Sequence, residues 1–238
     1  MWLIAEYEAS ALFSLKLSSA TASGGKTLLV PTPFAVKMAL LDAACRVRGL
    51  TAAREEWPQI RDLQVAFRPP TRALVTNLFQ KVLRPRRNTA NPDSPDAGPF
   101  QKTIGYREYA QWVGALGVAL GLRHDEFADA LADLLLNINY LGRRGGFVQL
   151  LPPVRRVDAP PHDFVVATEP QAAFTVDGTM QILDDCGPDV TFDQVSVYTR
   201  ERVRAGKDRI VHHIVLPNYR LTRSSKSFSL YERVQDRT

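Results

Sequence analysis

The sequence is poor in the residues that build metal and nucleophilic centres: 2 cysteines and 4 histidines in 238 residues. Cys45 and Cys186 lie far apart, which excludes a disulfide scaffold and a four-cysteine metal site. No HExxH motif, paired cysteine or DxD cluster occurs, and no serine has a GxSxG context. Gly24-Gly25-Lys26-Thr27 ends like a phosphate-binding loop but lacks that loop's first glycine. No metal or cofactor is therefore expected. No apolar run approaches the length of a membrane span, and Met1 to Glu6 lack a basic segment followed by an apolar one. The expectation is a cytoplasmic protein with no membrane partner.

What is present is segregated positive charge. The net charge is +5. Residues 81–109 carry six basic residues (Lys81, Arg84, Arg86, Arg87, Lys102, Arg107) against Asp93, Asp96 and Glu108. Residues 200–226 carry eight against Glu201 and Asp208, whereas 177–193 hold five aspartates and no base. Such segregation suits one face that meets phosphates and another that meets water or a basic neighbour, although scattered arginines that merely solvate a surface give the same count.

The periodicity predicts an α+β chain. β-suited residues fill 1–20, and a flexible polar stretch follows from Ser18 to Thr27. Thr32 and Pro33 then open a helix that ends at Gly49, with Phe34, Met38, Leu41, Ala44 and Cys45 on its buried face. Strands are predicted at 63–67 and 72–83. The next stretch, from Arg84 to Pro99, has four prolines and almost nothing apolar, so it reads as a mobile basic excursion. β character resumes over 103–120, and a second helix spans His124 to Asn137. Further strands are predicted at 147–151, 164–168, 194–199, 209–216 and 228–234, with a proline-rich joint at 152–161. The order of the first part matches the split βαβ pattern of a ferredoxin-like (RRM-like) domain over 1–151, with a β-rich extension at 152–238.

Gly142-Arg143-Arg144-Gly145-Gly146 is the strongest candidate site. Glycines let a backbone approach a ligand, and arginine forks match phosphate oxygens. Tyr140 and Phe147 flank the loop and can stack on bases. A helix C-cap with exposed arginines explains the same spacing. Helix 33–48 offers an amide-rich N-terminus with Lys26 before it and Lys37 one turn in. Together with Arg84, Arg86, Arg87 and Arg107, these form the expected RNA-binding set. His212 and His213 share a strand, where neighbours point to opposite faces, so one is expected to pack in the sheet. Asp184-Asp185 reads as a solvated polar loop.

Pro31-Thr32-Pro33-Phe34-Ala35-Val36-Lys37-Met38-Ala39-Leu40-Leu41-Asp42-Ala43-Ala44 resembles the Pro-[Ser/Thr]-Pro helix opening of the CRISPR-associated Cas5 family. Ile138-Asn139-Tyr140-Leu141-Gly142-Arg143-Arg144-Gly145-Gly146-Phe147-Val148-Gln149 resembles a second segment of that family. The resemblance implies a ferredoxin-like fold of the RAMP superfamily with a thumb-like insert, for which 84–103 is the candidate. It implies a non-catalytic subunit of a type I Cascade complex that caps the 5′ handle of CRISPR RNA (crRNA). The implied partners are crRNA, a Cas7 backbone subunit, a Cas8-type large subunit and, through the complex, target DNA. The Tyr-Leu-Gly-Arg-Arg segment inclines toward type I-A or I-B. Type I-C relatives cleave precursor crRNA without metal, so a metal-independent endoribonuclease using His124, His212 or His213 is the enzyme alternative. A generic RNA-binding assembly module is the third reading.

Overall fold

The computed structural model describes residues 1–16, 26–88, 92–93, 97–171 and 177–234. It is a mixed α and β protein built mainly of antiparallel sheets. One five-stranded sheet has the order β6-β1-β5-β2-β7, from β1 (Trp2–Ala9), β2 (Gln64–Arg68), β5 (Leu116–Gly121), β6 (Val148–Val157) and β7 (Val165–Val166). A four-stranded sheet has the order β10-β11-β3-β4, from β3 (Arg72–Pro85), β4 (Phe100–Val113), β10 (Tyr219–Ser224) and β11 (Phe228–Arg233). β8 (Gly178–Cys186) and β9 (Arg209–Pro217) pair with each other.

The first helix, α1 (Pro33–Arg61), starts as its sequence directs. Thr32 Oγ1 accepts the Ala35 amide at 3.1 Å, and Pro33 takes a position that needs no amide donor. At Gly49 the helical path breaks, with φ 84° and ψ 168°, as expected. The chain then re-enters helix as far as Arg61. Ala53, Trp57 and Ile60 supply a buried face there, and Trp57 Nε1 donates to the Val190 carbonyl at 2.8 Å. Gly49 thus marks a kink, because tertiary burial of Trp57 carries the helix onward.

The second helix, α2 (Ala128–Leu136), follows a 3₁₀ turn at Asp125–Phe127 and buries Leu131, Leu134 and Leu135. Tyr7 on β1 donates its phenol proton to the Leu135 carbonyl at 2.8 Å, and burial holds that phenol well above its usual range. One hydrophobic cluster runs from Leu3 and Val36 through Leu120 and Leu131 to Leu183, Ile214 and Tyr219.

Several expectations are corrected. The proline-rich joint at 152–161 is partly strand: β6 runs through Pro152 and Pro153 at a register shift opposite Ala5. β6 is an edge strand, where missing amide donors are tolerated. The division expected at 151/152 falls inside it. The β stretch over 103–120 is cut at Gly114 (φ +85°), where the chain leaves one sheet for the other. The strand expected at 194–199 is instead the short helix α3 (Phe192–Val195), closed by reciprocal Thr191–Gln194 capping.

The acidic segment is corrected most. Asp184 and Asp185 lie on β8 and are both buried. Asp184 takes a 2.5 Å ion pair from Arg209, whose guanidinium also lies 3.7 Å from the Phe34 ring centre. Asp185 pairs with Lys37 of α1 at 2.7 Å, with side-chain exposures of 8% and 2%. Burial raises the Asp185 carboxyl above the usual range, while Lys37 and the Cys186 amide pull it back. Breaking one side of such a pair leaves a buried charge alone. Lys37→Met is expected to cost about 3–5 kcal/mol in urea unfolding, and Lys37→Met with Asp185→Leu to recover most of the loss.

Candidate nucleic-acid interface

The Gly-Arg loop closes on itself as a small hairpin. Tyr140 and Phe147 form a β-bridge, Leu141 N donates to Gly146 O, and Gly146 N donates to Arg143 O, both at 3.0 Å. Gly142 (φ +76°) and Gly145 (φ +103°) take backbone angles that disfavour side chains. A Cβ on Gly142 would also meet Leu15 Cδ1 at 2.9 Å, so glycine there lets the 13–16 segment cross the loop. Arg143 and Arg144 are exposed at the tip, and neither forms an ion pair among the described residues.

The 13–16 segment ties this loop to the β3–β4 ribbon. Phe13 exchanges both backbone bonds with Ala110 on β4, at 2.8 and 2.7 Å, and its ring stacks 4.3 Å from that of Trp112. Lys16 bridges to Thr27. Its ammonium is held below the usual lysine range, first by burial and then by Arg107, Arg143 and Arg84. Arginines from the ribbon and from the Gly-Arg loop therefore lie near Lys16. Like charges repel when brought together, and a polyanion relieves that repulsion.

The ribbon has two unlike faces. The register pairs Phe79 with Tyr106, Lys81 with Ile104, Leu83 with Lys102 and Pro85 with Phe100. By alternation these share the face that nearer the body buries Ala73, Val75, Ala110 and Trp112. Beyond the body it lies open: Phe79 is 71% exposed, Leu83 65%, Ile104 64% and Phe100 52%. The opposite face carries Arg84 and Arg107, which reach the Lys16 cluster.

The expected RNA-binding residues divide accordingly. Arg84, Arg107 and Arg143 each lie near Lys16, and Arg144 and Phe147 are exposed on the loop that carries Arg143. Arg86 and Arg87 sit farther out on the ribbon, where Arg86 Nε donates to the Phe100 carbonyl at 3.3 Å. Lys26 is exposed, next to Thr27, whose amide donates to Glu108 at 2.8 Å. Tyr140 is half-buried, and its phenol is raised by burial first and then by the nearby Asp42 carboxylate. Lys37 is the correction: it is interior and its charge is used by Asp185, because it falls on the helix face that β8 covers. Lys16 was not anticipated, since no spacing links it to residues 84, 107 or 143. The part of the expected 84–103 insert over 89–91 and 94–96, and Gly24-Gly25, lie outside the described residues.

The histidine pair splits as alternation requires. His213 is exposed, while His212 is buried beside Asp185 and Lys37. Burial pushes the His212 imidazole below the usual range; Asp185 raises it and Lys37 lowers it further. A group depressed by folding contributes stability that is complete above its unfolded pKa, near 6.5, and is lost as pH falls toward the folded value. Asp185, raised by folding, has the opposite sign and offsets part of this at the acid end. The melting temperature is expected to fall between about pH 7.5 and about pH 5.5, and His212→Gln to flatten that slope.

No family model matches the sequence. A protein named CRISPR-associated protein Cas5, from Archaeoglobus fulgidus, is 22% identical over 167 residues, covering 70% of this chain and 69% of that one. A CRISPR protein crystal structure from the same organism aligns over 99% of this chain and 92% of its own, at 12% identity and a TM-score of 0.43. A chain of a CRISPR RNA-guided surveillance complex aligns over 90% of each, at 20% identity and a TM-score of 0.49. Over 70% of its length the chain is a sequence relative of a Cas5 protein, the family that its two motifs resemble.

Proposed function

We propose that the chain is a non-catalytic, RNA-binding subunit of a type I CRISPR Cascade complex, which caps the 5′ handle of crRNA and supports RNA-guided DNA targeting. The observation that carries this reading is the convergence of Lys16, Arg84, Arg107 and Arg143 beside an exposed Gly-Arg loop. The similarity to a protein named CRISPR-associated protein Cas5 supports CRISPR RNA as the polyanion. The order β6-β1-β5-β2, with α1 and α2 as the connecting helices, supports a ferredoxin-like domain. The β3–β4 ribbon then takes the role of the thumb, and β8 to β11 form the β-rich extension.

Contacts with a Cas7 backbone subunit and a Cas8-type large subunit belong to the same proposal. The open apolar face of the ribbon, with Phe79, Leu83, Phe100 and Ile104 among Lys81 and Lys102, supports docking of a neighbouring subunit there. The burial of His212 against an ion pair favours binding over cleavage, because its imidazole does not present to an open cleft.

The chain is expected to bind cognate repeat RNA and leave it intact in EDTA. Arg107→Glu with Arg143→Glu should weaken binding and lower the slope of log K against log salt by about 2, roughly one for each phosphate no longer neutralised. Arg143→Glu with Arg144→Glu should weaken it as well. If the RNA shortens without divalent metal and His213→Ala stops the cut, the non-catalytic reading fails. Equal affinity for unrelated RNA defeats the handle-specific role.

A further inference from the structure

The RNA-binding reading uses the outer face of the four-stranded sheet only at Arg84 and Arg107, and the rest of that face has a composition of its own. Registers across β11, β3 and β4 align Phe228, Thr76 and Tyr109 on one rung, and Leu230, Leu74 and Gln111 on the next. Their neighbours in sequence, Ser229, Val75, Tyr231 and Glu108, line a cavity of about 280 Å³ on the inner side, which sets the sense of the alternation. Phe228, Tyr109, Leu74 and Leu230 are partly exposed, and Leu78, next along β3 on this face, is 41% exposed. Arg72 lies at one end of the face, Arg223 opposite Leu230 at its side, and Arg107 at the other end.

We propose that this face is a base-stacking platform for single-stranded RNA, on which the rings of Tyr109 and Phe228 take two bases of the strand whose phosphates meet the Lys16–Arg84–Arg107–Arg143 cluster. The proposal rests on the RNA-binding reading and extends it to a second chemistry. Two features select single-stranded nucleic acid as the occupant. The face is continuous with the basic cluster through Arg107, which lies two residues from Tyr109 on the same side of β4. Its flanking charges are mainly cationic: Arg72, Arg107 and Arg223 stand against one acidic neighbour, Glu232. The two aromatic positions lie two strands apart, about 10 Å from the roughly 4.8 Å strand spacing, a separation that suits bases splayed from a single strand rather than paired in a duplex. Stacking needs only a π-face, so the platform adds affinity with little sequence preference, while the arginines hold the backbone.

The test compares a fluorescent ten-nucleotide oligoadenylate with a ten-unit abasic ribose-phosphate of equal charge, using the full chain and fluorescence anisotropy. The wild-type protein is expected to prefer the oligoadenylate on the order of 10-fold or more. Tyr109→Leu with Phe228→Leu keeps apolar cover on the sheet and removes only the rings. It should erase that preference and leave abasic binding unchanged, whereas Tyr109→Phe should retain the preference. A leucine variant that melts as the wild type and still prefers the oligoadenylate overturns the platform. So does a wild-type protein that binds both probes equally. If neither probe binds at low salt while cognate repeat RNA does, the platform falls and the RNA-binding reading stands; if the repeat RNA also fails to bind, both fall. Should the leucine variant melt early, Thr76→Lys, which sets a long side chain between the two rings, is expected to erase the preference, and retention of the preference there also overturns the proposal.

Discussion

The buried ion pair between Lys37 and Asp185 constrains much of the molecule. Neither charge is tolerable in the interior alone, so α1 and β8 must meet at that point. Two further links join the same surfaces: Arg209, paired with Asp184, lies over Phe34, and the Trp57 indole donates to Val190. The chain before α1 is fixed by what this docking brings near. Gln181 on β8 accepts the Leu29 amide at 2.8 Å, Trp112 on β4 donates to the Leu29 carbonyl at 2.9 Å, and Glu108 accepts the Thr27 amide. Thr27 in turn bridges Lys16. The placement of the basic cluster thus traces back, bond by bond, to a pair of charges that never reach the surface.

The β3–β4 ribbon shows how one alternating sequence serves several purposes. Near the body its inner side chains are core residues: Ala73, Val75, Ala110 and Trp112. The same alternation continues outward with nothing beneath it, leaving Phe79, Leu83, Phe100 and Ile104 open. Its other face runs from Tyr109 through Arg107 to Arg84, moving from aromatic to cationic along the strands. A two-residue period allows this division, since each strand presents its odd and even positions to different surroundings. The ribbon therefore holds to the body while its outer part keeps one apolar and one cationic face open.

The contrast between the two aspartates and the two loop arginines explains why parts of the site were legible and others not. The turn that carries Arg143 and Arg144 is legible because glycines on both sides signal it, and local turns are set by backbone freedom at single residues. Asp184 and Asp185 were misread as solvated because nothing near them in sequence is basic; their partners come from residues 209 and 37. Lys37 was misread for the same reason in reverse. Its position one turn into a helix is legible, but the side of the helix that β8 covers is not. Lys16 had no signal, because its neighbours Arg84, Arg107 and Arg143 are brought to it by pairing between distant segments.

The sequence alone determined the elements whose causes are local: the Thr32-Pro33 helix start, the break at Gly49, the apolar face of α2, the Gly-Arg turn and the opposite facing of His212 and His213. Caps, positive-φ glycines and strand alternation act over a few residues, so they can be read from a few residues. Tertiary structure decided the rest: that helix resumes after Gly49 because Trp57 is buried, that an acidic segment becomes a strand because buried cations meet it, and that four scattered cations become one surface. Those outcomes depend on the free energy of burial and charge pairing between segments 25 to 148 residues apart, which no local spacing encodes.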